Sequence, residues 1–171
     1  DFTDGSVPGA CVRADLTVAL GWPNLGLLLR PARAFVGDLV AVEIGFPPAG
    51  EKGARAVTAR GVRAILPRRG PDAHKGDAGY LAVVAGQEGM AGASVLAARA
   101  AGRVGAGIVR VVGAPGNRTI VQASVPDALF APWDDADAVR EAVSWSHAVA
   151  LGPGLGRGPE RRALAEAVLE A

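Results

Sequence analysis

The chain has 171 residues, a formal net charge of +1 and an apolar half that includes only four Phe, three Trp and one Tyr. That length bounds it to one ordinary domain or pieces of two, with a core built from Ala, Val and Leu. Near-balanced charge gives no footprint for a nucleic-acid or membrane partner, and no apolar run approaches the ~20 residues of a spanning helix. The single Cys11 excludes an internal disulfide and a cysteine zinc cluster; a cytoplasmic setting is the matching expectation.

In chain order, residues 1–13 are turn-rich and read as a surface loop. Residues 14–20 read as a strand ended by Gly21 and Pro23, 25–29 as a helical turn and 31–37 as a loop. Residues 38–44 alternate apolar and polar, the pattern of a half-covered or edge strand, and Gly45, Pro47, Pro48 and Gly50 end it. Clustered Pro and Gly followed by rising charge over 46–61 predict a domain boundary near residue 50. An apolar patch at 62–66 and a basic, turn-rich lead at 67–76 follow.

Residues 81–85 form an uninterrupted apolar run, the signature of a strand covered on both faces. Gly86, Gly89 and Gly92 then break the chain. An Ala-dominated helix is predicted over 90–104, a glycine stop at Gly105 and Gly107, and a second strand at 108–112. This is one βαβ unit with its loop at the strand's carboxyl end, where α/β sheets bind ligands. Beyond it, 113–118 reads as a loop, 119–124 as a short strand, 125–137 as irregular and 138–143 as helical. A buried strand at 147–151 runs into the glycine loop 152–158. A last helix over 160–171 carries Leu164, Ala165, Val168 and Leu169 on one face. The chain opens on Asp1 and closes on a helical pattern without a stop signal, so it is expected to be an excerpt of a longer protein.

Two loops carry the chemistry. Around Gly86–Ala93, backbone amides at a helix N-terminus favour phosphate or another anion; alternatively, Gly92, Ala93, Ala97, Ala98 and Ala101 only let the helix approach the sheet closely. The spacing is neither the dinucleotide fingerprint nor a P-loop. In Gly152-Pro-Gly-Leu-Gly-Arg-Gly158 the glycines alternate, more than a plain strand–helix turn needs, and their amides could surround an oxygen-rich ligand. His74-Lys75-Gly76-Asp77 either faces an anionic substrate or is a solvated turn. His147 is expected to be structural, Met90 to fill a gap, and Arg99 and Arg103 to share an exposed helical stripe. Asp134, Asp135 and Asp137 fit a helix N-terminus better than a metal site. No Ser/His/Asp or Cys/His set assembles, so no catalytic residue and no metal ligand is assigned.

The run HKGDAGYLAVVAGQEGMAGASVLAARAAGRVGAGIVRV, followed at a distance by ALGPGLGR, resembles the ADP-dependent NAD(P)H-hydrate dehydratase family. The upstream ADLTVALGWPNLGLLLRPARAFVGDLVAVEIGFP resembles the end of an NAD(P)H-hydrate epimerase domain, in the order found in bifunctional members. The resemblance implies an α/β chain: residues 1–49 as the end of a Rossmann-like epimerase domain, 50–66 as linker or start of the second domain, and 67–171 as the first half of a ribokinase-like dehydratase domain.

What the family implies is repair of hydrated NADH and NADPH, with ADP consumed, Mg²⁺ in the dehydratase, K⁺ in the epimerase, and a homo-oligomer when intact. It places Gly92 and Ala93 on one wall of the hydrate pocket and Gly152, Gly154, Leu155 and Gly156 on another, with Lys75 and Gly76 at its entrance. Its catalytic Asp and nucleotide-contacting glycines belong to a motif absent from these residues. Pro23-Asn24, Ala78 and Tyr80 depart from the family's usual pattern. The alternatives are an ATP-dependent ribokinase-like kinase of a small alcohol or vitamin precursor, or a non-catalytic nucleotide-binding module.

Overall fold

The computed structural model describes residues 1–47, 54 and 56–171. The boundary expected near residue 50 lies outside the described residues. The chain separates into two compact units, Asp1–Leu66 and Pro67–Ala171.

In the first unit, β1 (Leu16–Leu20) pairs parallel with β2 (Asp38–Val42), Leu16 opposite Asp38 and Leu20 opposite Val42. Parallel neighbours need a crossover, and here it is built from two short 3-10 turns, Leu25–Leu27 and Ala32–Phe35. With only two strands, this sheet leaves Leu16, Val18, Leu20, Val40 and Val42 exposed. The 62–66 patch lies mostly in a short helix, α1 (Ala59–Ile65), whose first turn is capped by Thr58 Oγ1 accepting from the Gly61 amide at 3.1 Å.

The second unit is a four-stranded parallel sheet in the order β5-β4-β3-β6. Its strands are β3 (Tyr80–Val84), β4 (Ile108–Gly113), β5 (Leu129–Pro132) and β6 (Ala148–Leu151). Its helices are α2 (Ala91–Val104), α3 (Arg118–Ser124), α4 (Ala136–Trp145) and α5 (Pro159–Glu170). Successive strand residues point to opposite faces, and the core divides accordingly. Val83 and Val111 pack with Val95, Ala98 and Val121 of α2 and α3. Val84 and Val112 pack with Val139, Ala142, Val143 and Val168 of α4 and α5. Helices thus cover both faces of a doubly wound sheet.

Strand order makes the functional point. The chain steps outward from β3 to β4 to β5, then returns to place β6 on the free side of β3. The crevice between β3 and β6 is therefore the topological switch point, and ligands of open α/β sheets bind outside the carboxyl ends of the strands there.

Four expectations are corrected. Residues 119–124 are not a strand but the body of α3: two parallel strands cannot be joined without a crossover, and the β-branched Thr119-Ile120-Val121 run buries only Val121. The segment 125–137 is not wholly irregular, since it contains β5, an edge strand that tolerates Pro132 as its last residue. Strand 147–151 is not buried; β6 pairs with β3 alone, leaving Ala148 and Val149 exposed and Ala150 and Leu151 half-buried. On α5, Val168 is buried and Leu164 and Ala165 half-buried as predicted, but Leu169 is exposed.

Candidate functional site

Both glycine loops emerge at the switch point. β3 ends at Val84, and Ala85 still donates to the Val112 carbonyl of β4 at 2.9 Å. The chain then turns through Gly86 at φ +78°, where a Cβ would collide with Ser94 Oγ. Only glycine meets both conditions. The Gly86 amide donates to the Pro153 carbonyl at 2.9 Å, and the Gln87 amide to the Gly154 carbonyl at 2.7 Å. The loop after β3 and the loop after β6 are thus laced together by consecutive backbone hydrogen bonds.

Close approach explains Gly154 in the 152–158 loop, and a left-handed backbone at φ +86° explains Gly156. A Cβ on Gly154 (φ +61°) would lie 2.7 Å from Ala93 Cβ and 3.3 Å from Met90 Cβ. A Cβ on Gly156 would strike Gln87 Oε1. Gly92 is different. It has an ordinary helical backbone, is exposed, and a Cβ there would meet no atom within 4 Å. Close packing accounts for Ala98 and Ala101, which are buried on the sheet side of α2, but not for Gly92. Met90, at the N-cap, gives α2 no side-chain cap; of the first-turn amides, Ala93 donates to the Met90 carbonyl at 3.1 Å, which leaves those of Ala91 and Gly92 without partners in the helix. Met90 lies over the opposing loop, its Sδ accepting from Gln87 Nε2 at 3.3 Å.

The two walls expected from the family pattern, Gly92 with Ala93 and Gly152 with Gly154, Leu155 and Gly156, are therefore brought together: Ala93 abuts Gly154 directly. Outside the second loop a cavity of about 630 Å³ is lined by Leu155, Gly156, Arg157, Arg161 and Arg162. Arg161 stacks over Trp133 at 4.2 Å and pairs with Glu160, and Arg162 pairs with Glu166; Arg157 has no ion-pair partner among the described residues. The loops present amides, carbonyls and one Gln side chain at their meeting point. That set can bind and orient an oxygen-rich ligand; the one carboxylate of the two loops, Glu88, is exposed and accepts from the Gly116 amide.

Lys75 and Gly76 are not brought to this site. They precede β3, so they lie at the amino end of the sheet, roughly 15 Å away over a five-residue strand. Their turn is self-contained: His74 Nδ1 accepts from the Gly76 amide at 3.1 Å, and the His74 amide donates to Asp77 Oδ2 at 3.0 Å. It docks on Gly107, where any Cβ would collide with the Lys75 carbonyl. Lys75 lines a cavity of about 800 Å³ with Arg99, Arg103 and Asp127. Of the cations beside it, Arg99 is accounted for by a helix end, donating to the Ser124 carbonyl that ends α3 at 3.0 Å.

The remaining candidates are structural. His147 Nδ1 accepts from the Tyr80 amide at 3.0 Å, and Tyr80 stacks on Trp145 at 4.6 Å, all at the amino end. Asp135 caps α4, accepting from the Asp137 and Ala138 amides at 3.0 Å. Among the described residues no three His, Cys, Asp or Glu side chains are grouped to hold a metal ion.

Sequence reasoning missed Asn117, which is buried, and Glu88. Asn117 Nδ2 donates to the Gly86 and Gln87 carbonyls at 2.8 and 3.0 Å, and Glu88 Oε1 accepts from the Gly116 amide at 3.3 Å. The available signal was position alone: residues 114–117 follow β4, the strand next to β3, at its carboxyl end.

A protein-family model described as NAD(P)H-hydrate dehydratase matches residues 81–171. The chain is 37% identical over 170 residues to the Bifunctional NAD(P)H-hydrate repair enzyme Nnr of Coxiella burnetii, covering 97% of this chain and 35% of that protein. It thus spans about a third of that relative's length. Among solved structures it is similar to the ADP/ATP-dependent NAD(P)H-hydrate dehydratase of Bacillus subtilis, co-crystallised with ATP and Mg²⁺, at a TM-score of 0.56 and 29% identity over 67% of this chain and 42% of that one. A ribokinase-like superfamily protein of Enterococcus faecalis shares the fold, at a TM-score of 0.63 and 21% identity over 73% of this chain and 44% of that one. The paired glycine loops at a switch point, the ribokinase-like α/β fold and the match over residues 81–171 together place this chain in the NAD(P)H-hydrate dehydratase family.

Proposed function

We propose that the whole protein repairs hydrated nicotinamide nucleotides, and that this chain supplies one side of the hydrate pocket of an ADP-dependent dehydratase. The observation that carries the reading is the pairing of the two glycine loops, with Gly92 opening onto free space beside the uncapped start of α2. Gly92, Ala93, Gly152, Gly154, Leu155 and Gly156 hold the substrate through amides and shape. Residues 1–49 are the end of a Rossmann-like, K⁺-dependent epimerase domain that interconverts the hydrate epimers, 50–66 the linker or start of the second domain, and 67–171 the first part of the dehydratase. The names of the bifunctional relatives, matched across both units, support this division.

The reaction removes water from (S)-NAD(P)H hydrate. Hydroxide leaves poorly, so its oxygen takes the β-phosphoryl group of ADP, releasing AMP; phosphate then departs with that oxygen while a ring proton is lost, restoring the double bond. A kinase-like fold suits the first step, which depends on positioning and charge stabilisation. The loops offer mainly amides, and their one carboxylate, Glu88, accepts from the Gly116 amide, a set better suited to an anionic ligand than to Mg²⁺. Mg²⁺, ADP and the base are therefore assigned to residues outside this chain, and its own residues bind and orient the hydrate. We further assign the protein to the cytoplasm as a homo-oligomer.

The test is turnover by the full-length protein of NADHX with ADP, followed by the return of NADH absorbance and by AMP release. Phosphorylation of a vitamin precursor or small alcohol by ATP, with no action on the hydrate, would favour the kinase alternative. Nucleotide binding without any turnover would favour a non-catalytic module.

A further inference from the structure

We infer that Asn117 is the positioning residue for the glycine-loop site, holding the Gly86–Gln87 turn in the one geometry that joins the two loops. Asn117 occupies the N-cap position of α3 and is 3% exposed. An Asn there ordinarily accepts a hydrogen bond from the amides of its own helix. This one makes no such bond. Its carboxamide turns instead to residues about 30 positions earlier, donating to two successive carbonyls, Gly86 at 2.8 Å and Gln87 at 3.0 Å.

The amides of those same two residues are the ones that donate to Pro153 and Gly154. Gly86 and Gln87 are thus gripped from both sides, their N–H groups by the loop after β6 and their C=O groups by Asn117. The Ala114 amide, also donating to Gly86 at 3.2 Å, and Glu88 on Gly116 close the same junction. One nitrogen carrying two protons can serve two carbonyls at once, which no carboxylate or alkyl side chain can do. The turn, with positive φ at Gly86 and Gly89, is closed locally by the Met90 amide donating to the Gln87 carbonyl at 2.8 Å. The buried carboxamide adds a long-range restraint on the same two residues, so the site's shape depends on a residue that lines neither wall.

The experiment uses the full-length protein and Asn117→Asp, which keeps shape but sets an oxygen against the two carbonyls, with Asn117→Ala as a milder second variant. The two carbonyls keep their Ala114 and Met90 amides, but the buried Asp oxygen set against them has no donor, a cost of about 1–3 kcal/mol, so the KM for NADHX should rise by about tenfold. The KM for ADP should stay within about twofold. Amide exchange should accelerate at Gly86, Gln87 and the facing 153–155 loop and stay unchanged at Val83 and Val111. Wild-type KM and exchange in both variants would overturn the inference, as would uniform acceleration across the sheet with both KM values unchanged, the mark of a merely structural residue. The kinetic arm rests on the hydrate reading; the exchange arm does not, so a protein inactive on NADHX would refute that reading while the clamp is still decided by exchange.

Discussion

Gly92→Ala separates packing from ligand binding, because the two act on it with opposite sign. Gly92 sits in the first turn of α2 with a helical backbone, and a Cβ there would meet nothing within 4 Å. If the residue served only the fold, alanine would be the better choice: it lowers the conformational entropy of the unfolded chain and improves helix propensity by roughly 0.5–1 kcal/mol. No clash offsets that gain. The added methyl instead enters the space beside the start of α2 that the hydrate is proposed to fill. Forcing a ligand past a misplaced methyl costs about 1–3 kcal/mol, or roughly ten- to a hundredfold in affinity. In the full-length protein, urea denaturation should show a midpoint at or above wild type while the KM for NADHX rises at least about tenfold. A stabilised variant with an unchanged KM would refute the assignment of Gly92 to the pocket, and a destabilised one would refute the open-space argument itself.

Gly154→Ala should behave in the other way, losing stability and affinity together: the left-handed backbone costs about 1–2 kcal/mol and the contact with Ala93 Cβ at 2.7 Å must open, which denaturation and hydrate KM measured on one preparation will show. Lys75→Ala should leave the hydrate KM within about twofold, because Lys75 lies at the amino end of β3; a tenfold rise would restore it to the pocket. The isolated 171 residues should neither turn over NADHX with ADP nor stay monodisperse, since Leu16, Val18, Leu20, Trp22, Val40, Val42 and Phe46 all remain exposed. Measurable turnover, or a sharp cooperative melt of a monomer, would contradict that pair of expectations.

Much of the second unit was legible because its signals were long or unambiguous. The unbroken 81–85 run could only be a covered strand, and Gly105 does end α2 in a left-handed cap at φ +109°. Shorter elements were not. Seven residues of α3 hold two turns and one buried side chain, Val121, too few to show a helical period against the β-branched Thr-Ile-Val triplet. Four residues of β5 ending in Pro132 carry no alternation at all. The exposure of β6 depends on which strand lies beside it, and pairing order is a property of the whole sheet. The glycine loops could be located by composition, but not their contact with each other, which joins residues 86 and 87 to 153 and 154. Asn117 was hidden for the same reason: its partners are distant in sequence, and its position predicts a cap it does not make. The amino-end location of Lys75, by contrast, follows from chain order alone, since a residue preceding a parallel strand lies opposite the loops that follow it.

The same residue type therefore does three separate things within one small site. Gly86 and Gly156 turn the chain through left-handed backbone, Gly86 where a side chain would collide with Ser94. Gly154 lets one loop lie against the other, and Gly92 keeps a space clear. Only the last bears on the proposed ligand; the others shape the loops around it. This explains why the pattern misses the dinucleotide and P-loop fingerprints and can still bind an oxygen-rich molecule. Those fingerprints encode one loop wrapping a phosphate at one helix end. Here the proposed binding surface is shared by two loops on adjacent parallel strands, so the informative spacing is across the sheet, Val84 opposite Leu151, and not along the chain. Substrate recognition built this way should tolerate side-chain changes outside the loops and fail when the two loops are moved apart, as Asn117→Asp and Gly154→Ala are each expected to do.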